Sequence, residues 1–208
     1  MPSRQRLTRG IAAPIAVVAV VVLAILAVGC GSDGGDPATG DSTPTGATVP
    51  AIGGITPTTM VAPEGIPGVV AWTGLTRGHS TANLVYPMSP PVGGDHAPIW
   101  QTCGFYDEPI ASPNAVHSME HGAVWIAYRP DLTPDEIATV RSATTTFVLA
   151  SPYPGLRSKV VVSAWERQLV LDSVTDPRLA KFISTYVQGP QTPELGARCD
   201  AGKGTPLT

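Results

Sequence analysis

The chain has 208 residues, 43% of them hydrophobic and only 14% charged, with a formal net charge of −3. So little charge excludes a disordered polyelectrolyte and leaves no basic surface for nucleic acid, and three cysteines are too few for a disulfide-dense miniprotein. Gly and Pro contribute 22 residues each, so a good part of the chain is irregular or extended rather than uniformly globular.

The N-terminus reads as an export signal. Arg4, Arg6 and Arg9 form a positive cluster, an apolar run follows from Ile11 to Val28, and small residues Ala27 and Gly29 precede Cys30. The run also reaches the lower limit for a membrane-spanning helix, so an uncleaved anchor is the plainer alternative. Leu26-Ala-Val-Gly-Cys30 resembles a bacterial lipobox, in which the cysteine is lipidated and becomes the first residue of the mature protein. Residues 1–29 are therefore expected to be a lipoprotein signal peptide. Cleavage removes three arginines and no acid, leaving 10 basic against 16 acidic residues and a charge of −6. Such a body is not drawn to an anionic bilayer, so the lipid on Cys30 must hold it there.

Residues 30–63 are Gly, Ser, Thr, Pro and Asp with no apolar periodicity, and are expected to form a disordered tether. A flexible stretch of that length spans about 30 Å on average. One domain is expected over residues 64–208. Its first half, Val69 to Pro113, is rich in Pro and Gly and loop-like, and loops this long in a compact domain are usually functional.

The second half divides itself. Ala123-Val-Trp-Ile-Ala-Tyr128 reads as a buried strand. Asp131-Leu-Thr-Pro-Asp-Glu136 is a helix start, with Thr133 as N-cap, Pro134 in the first turn, Glu136 closing a capping box, and Leu132 and Ile137 spaced as a hydrophobic staple. Thr146-Phe-Val-Leu149 is a second strand, ended by Ser151-Pro-Tyr-Pro-Gly155. Lys159 to Trp165 is a third, with Gln168 to Leu171 as its continuation or hairpin partner, and Asp176-Pro177 opens a last helix that Gly189-Pro190 closes. The order β-α-β-β-α predicts an α+β domain, a small sheet with helices packed on one face.

With Cys30 lipidated, Cys103 and Cys199 remain in an oxidising compartment, where an even remainder argues for a disulfide. Two free thiols, or Cys103 as a metal ligand, are the alternatives.

All four histidines, His79, His96, His117 and His121, fall within 43 consecutive residues. Asn114 to Gly122 reads as a two-turn helix, with Asn114 as its cap and Gly122 as its stop. There His117 and His121 have Cβ atoms about 5–6 Å apart, close enough to share a metal, against about 13.6 Å in a strand. The same helix gives H-x-x-E-H with Glu120, the pattern of the inverted zinc peptidases, in which the Glu acts as base. Those enzymes need a long helix and a distal carboxylate, whereas Gly122 and an apolar strand follow at once. Met88 and Met119 flank the histidines and offer soft thioether ligands, although methionine is more often core filler. The bland reading is that buried imidazoles hydrogen-bond backbone.

Tyr86-Pro-Met-Ser-Pro-Pro-Val-Gly-Gly-Asp-His96, Cys103-Gly-Phe-Tyr106 and Val116-His-Ser-Met-Glu-His-Gly-Ala-Val124 resemble a bacterial family of unknown function, numbered 3105. The resemblance runs on through Tyr128-Arg-Pro-Asp-Leu132 and Ser151 to Gly155, as far as Cys199. It implies an exported or membrane-anchored protein and implies no activity.

No G-x-S-x-G, phosphate loop, dinucleotide fingerprint or C-x-x-C is present. Ser118 beside His117 is not a triad, and Trp72, Trp100, Trp125 and Trp165 suit core or rim better than a sugar platform. The sequence therefore predicts a protein lipid-anchored through Cys30 on the outer face of the bacterial cytoplasmic membrane. It binds one copper or zinc ion through His96, His117 and His121 with His79 as fourth ligand, while Glu120, Met119 and Met88 are supporting or alternative ligands. The rival readings are an envelope interaction module with structural histidines and an unidentified protein partner, and a zinc hydrolase using Glu120.

Overall fold

β-Branched and aromatic residues in the C-terminal half build the sheet on which everything else is mounted. The structure is a computed structural model and describes residues 65–208. The expected signal peptide, the lipobox with Cys30 and the tether over 30–63 lie outside the described residues. In chain order the elements are β1 (Val70–Ala71), β2 (Gly104–Phe105), α1 (Ser112–Glu120), β3 (Val124–Tyr128), α2 (Pro134–Ala143), β4 (Val148–Pro152), β5 (Val160–Ala164), β6 (Arg167–Leu171) and α3 (Pro177–Tyr186). The strands form one mixed sheet in the order β1-β6-β5-β3-β4-β2, so the fold is α+β. Among the described residues no helix is long and apolar enough to cross a membrane.

β3 and β4 run parallel, joined by the α2 crossover, while β5 lies antiparallel on the other side of β3 and forms a hairpin with β6. β3, β4 and β5 are buried along their whole length because both faces of the sheet are covered. Val124, Ile126 and Tyr128 pack with Ile137 and Val140 of α2 and Leu179, Phe182 and Tyr186 of α3, so the helices of the C-terminal half share one face. Trp125 and Ala127 point the other way, into a second core with Ala115, Val116 and Met119 of α1 and with Trp72, Leu75, Val92 and Trp165. The Pro/Gly-rich half, together with α1, thus roofs the face of the sheet that α2 and α3 leave open.

The α2 start follows its sequence pattern. Glu136 N donates to Thr133 Oγ1 at 3.3 Å, Thr133 N donates back to Glu136 Oε2 at 3.1 Å, and Leu132 and Ile137 meet in one core. β4 is shifted by two residues from its expected start. Phe147 takes φ 60° in the turn after α2, and the pairing Val124↔Val148 fixes where the strand begins. The strand then continues through Ser151 and Pro152. Cys103 and Cys199 form a disulfide with a Cα–Cα distance of 5.4 Å, and Cys103 N donates to Cys199 O at 2.7 Å. This pins the C-terminal tail along residues 101–105, with bridges Gln101↔Lys203 and Phe105↔Leu207 on either side.

Candidate metal centre

α1 carries the site, and the way it is seated decides the geometry. Ala111 is its N-cap without a side-chain cap, and Pro113 lies in the first turn. Asn114, expected as the cap, sits inside the helix because Ser112-Pro113 already starts the turn; its Nδ2 donates to Ile99 O at 2.6 Å. Every residue from Asn114 to Glu120 is buried. Ala115, Val116 and Met119 face the apolar core, so His117 and Glu120, three residues apart, share a different face. Ser118 is spent on structure, accepting from Gln101 N at 3.0 Å and lying 2.7 Å from Gln101 O. The helix stops at Gly122, φ 93°, where a Cβ would collide with Gln188 Nε2 and crowd Thr192 at 3.0 Å. Gln188 N donates to Gly122 O at 2.9 Å and Glu194 N to Glu120 O at 3.0 Å, fastening the end of α1 to the segment after α3.

The loop-rich half supplies the other two imidazoles. His96 follows Gly93 and Gly94, whose φ angles of 149° and 108° let the chain turn under Tyr86 and Trp165. Tyr86 Oη donates to Asp95 O at 2.8 Å; burial, and then the nearby Asp95 charge, push the Tyr86 hydroxyl pKa well above the ordinary tyrosine value. His79 meets His96 through a parallel bridge, with Ser80 N donating to His96 O at 2.7 Å and His96 N to Gly78 O at 2.9 Å.

These elements bring four donors together. One ligand atom each from His79, His96, His117 and Glu120 lies within 4.8 Å of the others, with His79 exposed and the remaining three buried. His96 Nδ1 donates to Gly94 O at 2.8 Å and His117 Nδ1 to Ala97 O at 2.6 Å. A carbonyl only accepts, so each Nδ1 carries a proton, and Nε2 is the nitrogen that offers a lone pair whenever the ring is neutral. Burial lowers the His117 pKa to about 4; the Ala97 carbonyl works against this, and the imidazoles of His121, His96 and His79 add to it. His117 is thus neutral at physiological pH and keeps a lone pair on Nε2.

The telling contact is between His96 and Glu120. His96 Nε2 stands 2.8 Å from Glu120 Oε2 in a setting where the two side chains are 0% and 4% exposed. Despite that proximity the two are not aligned for hydrogen bonding, and Nε2 is a buried polar atom without a hydrogen-bond partner. So close an approach of a ring nitrogen to a buried carboxylate is favourable when a proton on the nitrogen pairs with the carboxylate or when both groups ligate a cation, because a buried charge must be paired or coordinate a metal. Donors on a tetrahedral zinc stand about 3.3 Å apart, given bonds of about 2.0–2.1 Å. Three imidazoles and a carboxylate could therefore hold one ion.

His121, expected among the preferred ligands, is outside this group of four. It caps α1 beside His117, with ring centroids 4.6 Å apart, but its Nδ1 donates to Arg198 O at 2.7 Å and its Nε2 faces Glu194 Oε2 at 3.4 Å. Glu120, expected in a supporting role or as a base, stands inside the group instead. The H-x-x-E-H spacing thus brings His117 and Glu120 into one donor group and leaves His121 beside it. Met119 is fully buried in the apolar layer and Met88 packs against that layer. Trp100 flanks the centre, its ring 5.8 Å from His117 and 5.0 Å from His121, and Trp165 meets His96 edge-on at 6.1 Å. Glu194 and the carbonyls of Gly94, Ala97 and Arg198 carry no sequence signature. Glu194 lies 73 residues from His121 and follows a proline-rich turn, and any residue type can offer a carbonyl.

The sequence model of a family described as protein of unknown function (DUF3105) matches residues 79–201, more than half of the chain, and the chain belongs to that family. The match begins at His79 and takes in the whole donor group and both disulfide cysteines. No curated protein and no solved structure matches the chain.

Proposed function

We propose that this protein is a lipid-anchored, extracytoplasmic metal binder that holds one divalent zinc or copper ion through His79, His96, His117 and Glu120. The observation that carries the reading is the buried, unpaired His96 Nε2 set 2.8 Å from the Glu120 carboxylate. A nitrogen and oxygen donor set suits zinc or cupric ion better than cuprous ion, and both methionine thioethers lie in or against the apolar core. The structural-histidine reading draws support from the carbonyl bonds to Nδ1, which are good packing devices in themselves. It makes the His96–Glu120 contact a buried structural ion pair instead.

The full chain, purified without a polyhistidine tag, should hold one equivalent of zinc or copper. Absence of binding to either metal at micromolar concentration under non-chelating conditions refutes the proposal. Location rests on the sequence: the basic cluster, the apolar run and Cys30 support lipidation, and residues 30–63 support a tether holding the domain off the outer face of the cytoplasmic membrane. Cys30→Ser should abolish labelling by a fatty-acid probe and block processing by the lipoprotein route; unchanged labelling rules the anchor out.

A further inference from the structure

We infer that His79 is the exchangeable ligand of this centre, the position at which a divalent ion enters and is handed to an incoming nitrogen or sulfur donor. The inference rests on the metal-binding reading above. The four donors are held very unequally. His96 and His117 are oriented by Nδ1 bonds to Gly94 O and Ala97 O, and Glu120 is carried by a helix buried from Asn114 onward. Rotating any of the three away from an ion would break a buried hydrogen bond or core packing.

His79 differs on each count. It is exposed, lies on the irregular segment between β1 and β2, and its imidazole makes no hydrogen bond among the described residues. A ligating histidine almost always gives its second nitrogen to an orienting carbonyl or carboxylate, and His79 lacks that partner. Its backbone is nonetheless placed. The bridge to His96 holds the main chain, and Gly78 N donates to Asp95 Oδ1 at 2.8 Å. The ring stacks on His117 with centroids 4.8 Å apart and meets His96 edge-on at 5.0 Å. Ring contacts alone resist its rotation. Three buried donors can thus retain the ion while the fourth swings out and an external donor takes its place. That is the behaviour of a carrier of labile metal rather than of a closed structural site, in which all ligands are fixed.

The test uses the full chain loaded with one equivalent of zinc and mixed with excess of a chromogenic chelator, 4-(2-pyridylazo)resorcinol. In the wild type the transfer rate should rise with chelator concentration, because the chelator enters while the ion is still bound. His79→Ala, at an exposed position that leaves the core intact, should still hold one equivalent at micromolar concentration. It should hand its zinc over about tenfold faster or more, a barrier change of about 1.4 kcal/mol. His117→Ala should lose zinc altogether. The inference is overturned if His79→Ala loses zinc as completely as His117→Ala, or if it transfers at the wild-type rate. A wild type that takes up no zinc or copper overturns the metal reading itself, a result distinguishable from both.

Discussion

Glu120→Gln should make the metal-free protein more stable while abolishing its response to metal. In the wild type the Glu120 carboxylate faces His96 Nε2 at 2.8 Å, and His96 has already committed its proton at Nδ1 to Gly94 O. A glutamine amide can donate to that nitrogen, replacing opposed lone pairs with a neutral hydrogen bond of about 1 kcal/mol. The same change removes the only anionic donor of the group. Wild type at a metal concentration of about 100 Kd should gain about 2.7 kcal/mol, whereas the variant should gain almost nothing. Thermal or urea unfolding of both proteins, with and without zinc, reads both effects. The two other readings give different signs. If His96 and Glu120 form a purely structural ion pair, removing one partner should destabilise the metal-free protein by about 3–5 kcal/mol. If Glu120 is a catalytic base beside a zinc held by others, the variant keeps its zinc and loses about 10²–10⁴-fold in rate. A metal-free variant less stable than wild type sinks the preferred assignment of Glu120.

How much of this is legible in the sequence follows from which interactions are local. The α2 start is written between Leu132 and Ile137, because a capping box and a staple are made by side chains of one turn, and the structure contains both. The β5–β6 hairpin and α3 are equally local, marked by β-branched runs and by Asp176-Pro177. The sheet order is not local: nothing in Val70-Ala71 or Gly104-Phe105 marks them as edge strands, since two residues carry no period. The cap of α1 is Ala111 rather than Asn114. Asn114 is a good cap by type, but Pro113 already suits the first turn of a helix that begins ahead of it. In the site, i to i+4 spacing correctly places His117 and His121 side by side. It does not reveal which way each Nε2 faces, because that is set by carbonyls at positions 97 and 198 brought in by the fold. The clustering of histidines in sequence reflects the loop-rich half folding over α1, which is why His79 and His96 arrive at the same point from one side.

Replacing Cys103 and Cys199 together by serine should cost the largest share of stability of any change far from the donor group. The bridge spans a sequence separation of 96 residues, and freeing a loop of that size gives the unfolded chain about 4–5 kcal/mol of entropy on the chain-closure account. Against a typical total of about 5–15 kcal/mol, that is a third or more of what holds the domain together. The loss should also be graded across the site. Arg198 O, next to Cys199, orients His121, and Asp200 O on its other side accepts from Trp100 Nε1 at 3.1 Å. His96 and His117 are oriented instead by Gly94 and Ala97, which belong to the other half of the chain and do not depend on the tail. The folded double variant should therefore bind zinc with affinity reduced by no more than about 10–100-fold, the effect of losing outer support. Its Trp100 emission should shift to the red as the indole loses its carbonyl partner. Denaturant titration, zinc competition and fluorescence measure the three effects on one sample, and thiol titration of the unreduced, unfolded wild type lipidated at Cys30 should find no free thiol. Two free thiols in that titration, or unfolding midpoints unchanged by the double substitution, would show that the tail is held by hydrogen bonds alone. Loss of zinc as complete as in His117→Ala would show instead that the tail, through His121 and Trp100, is part of what fixes the donor group.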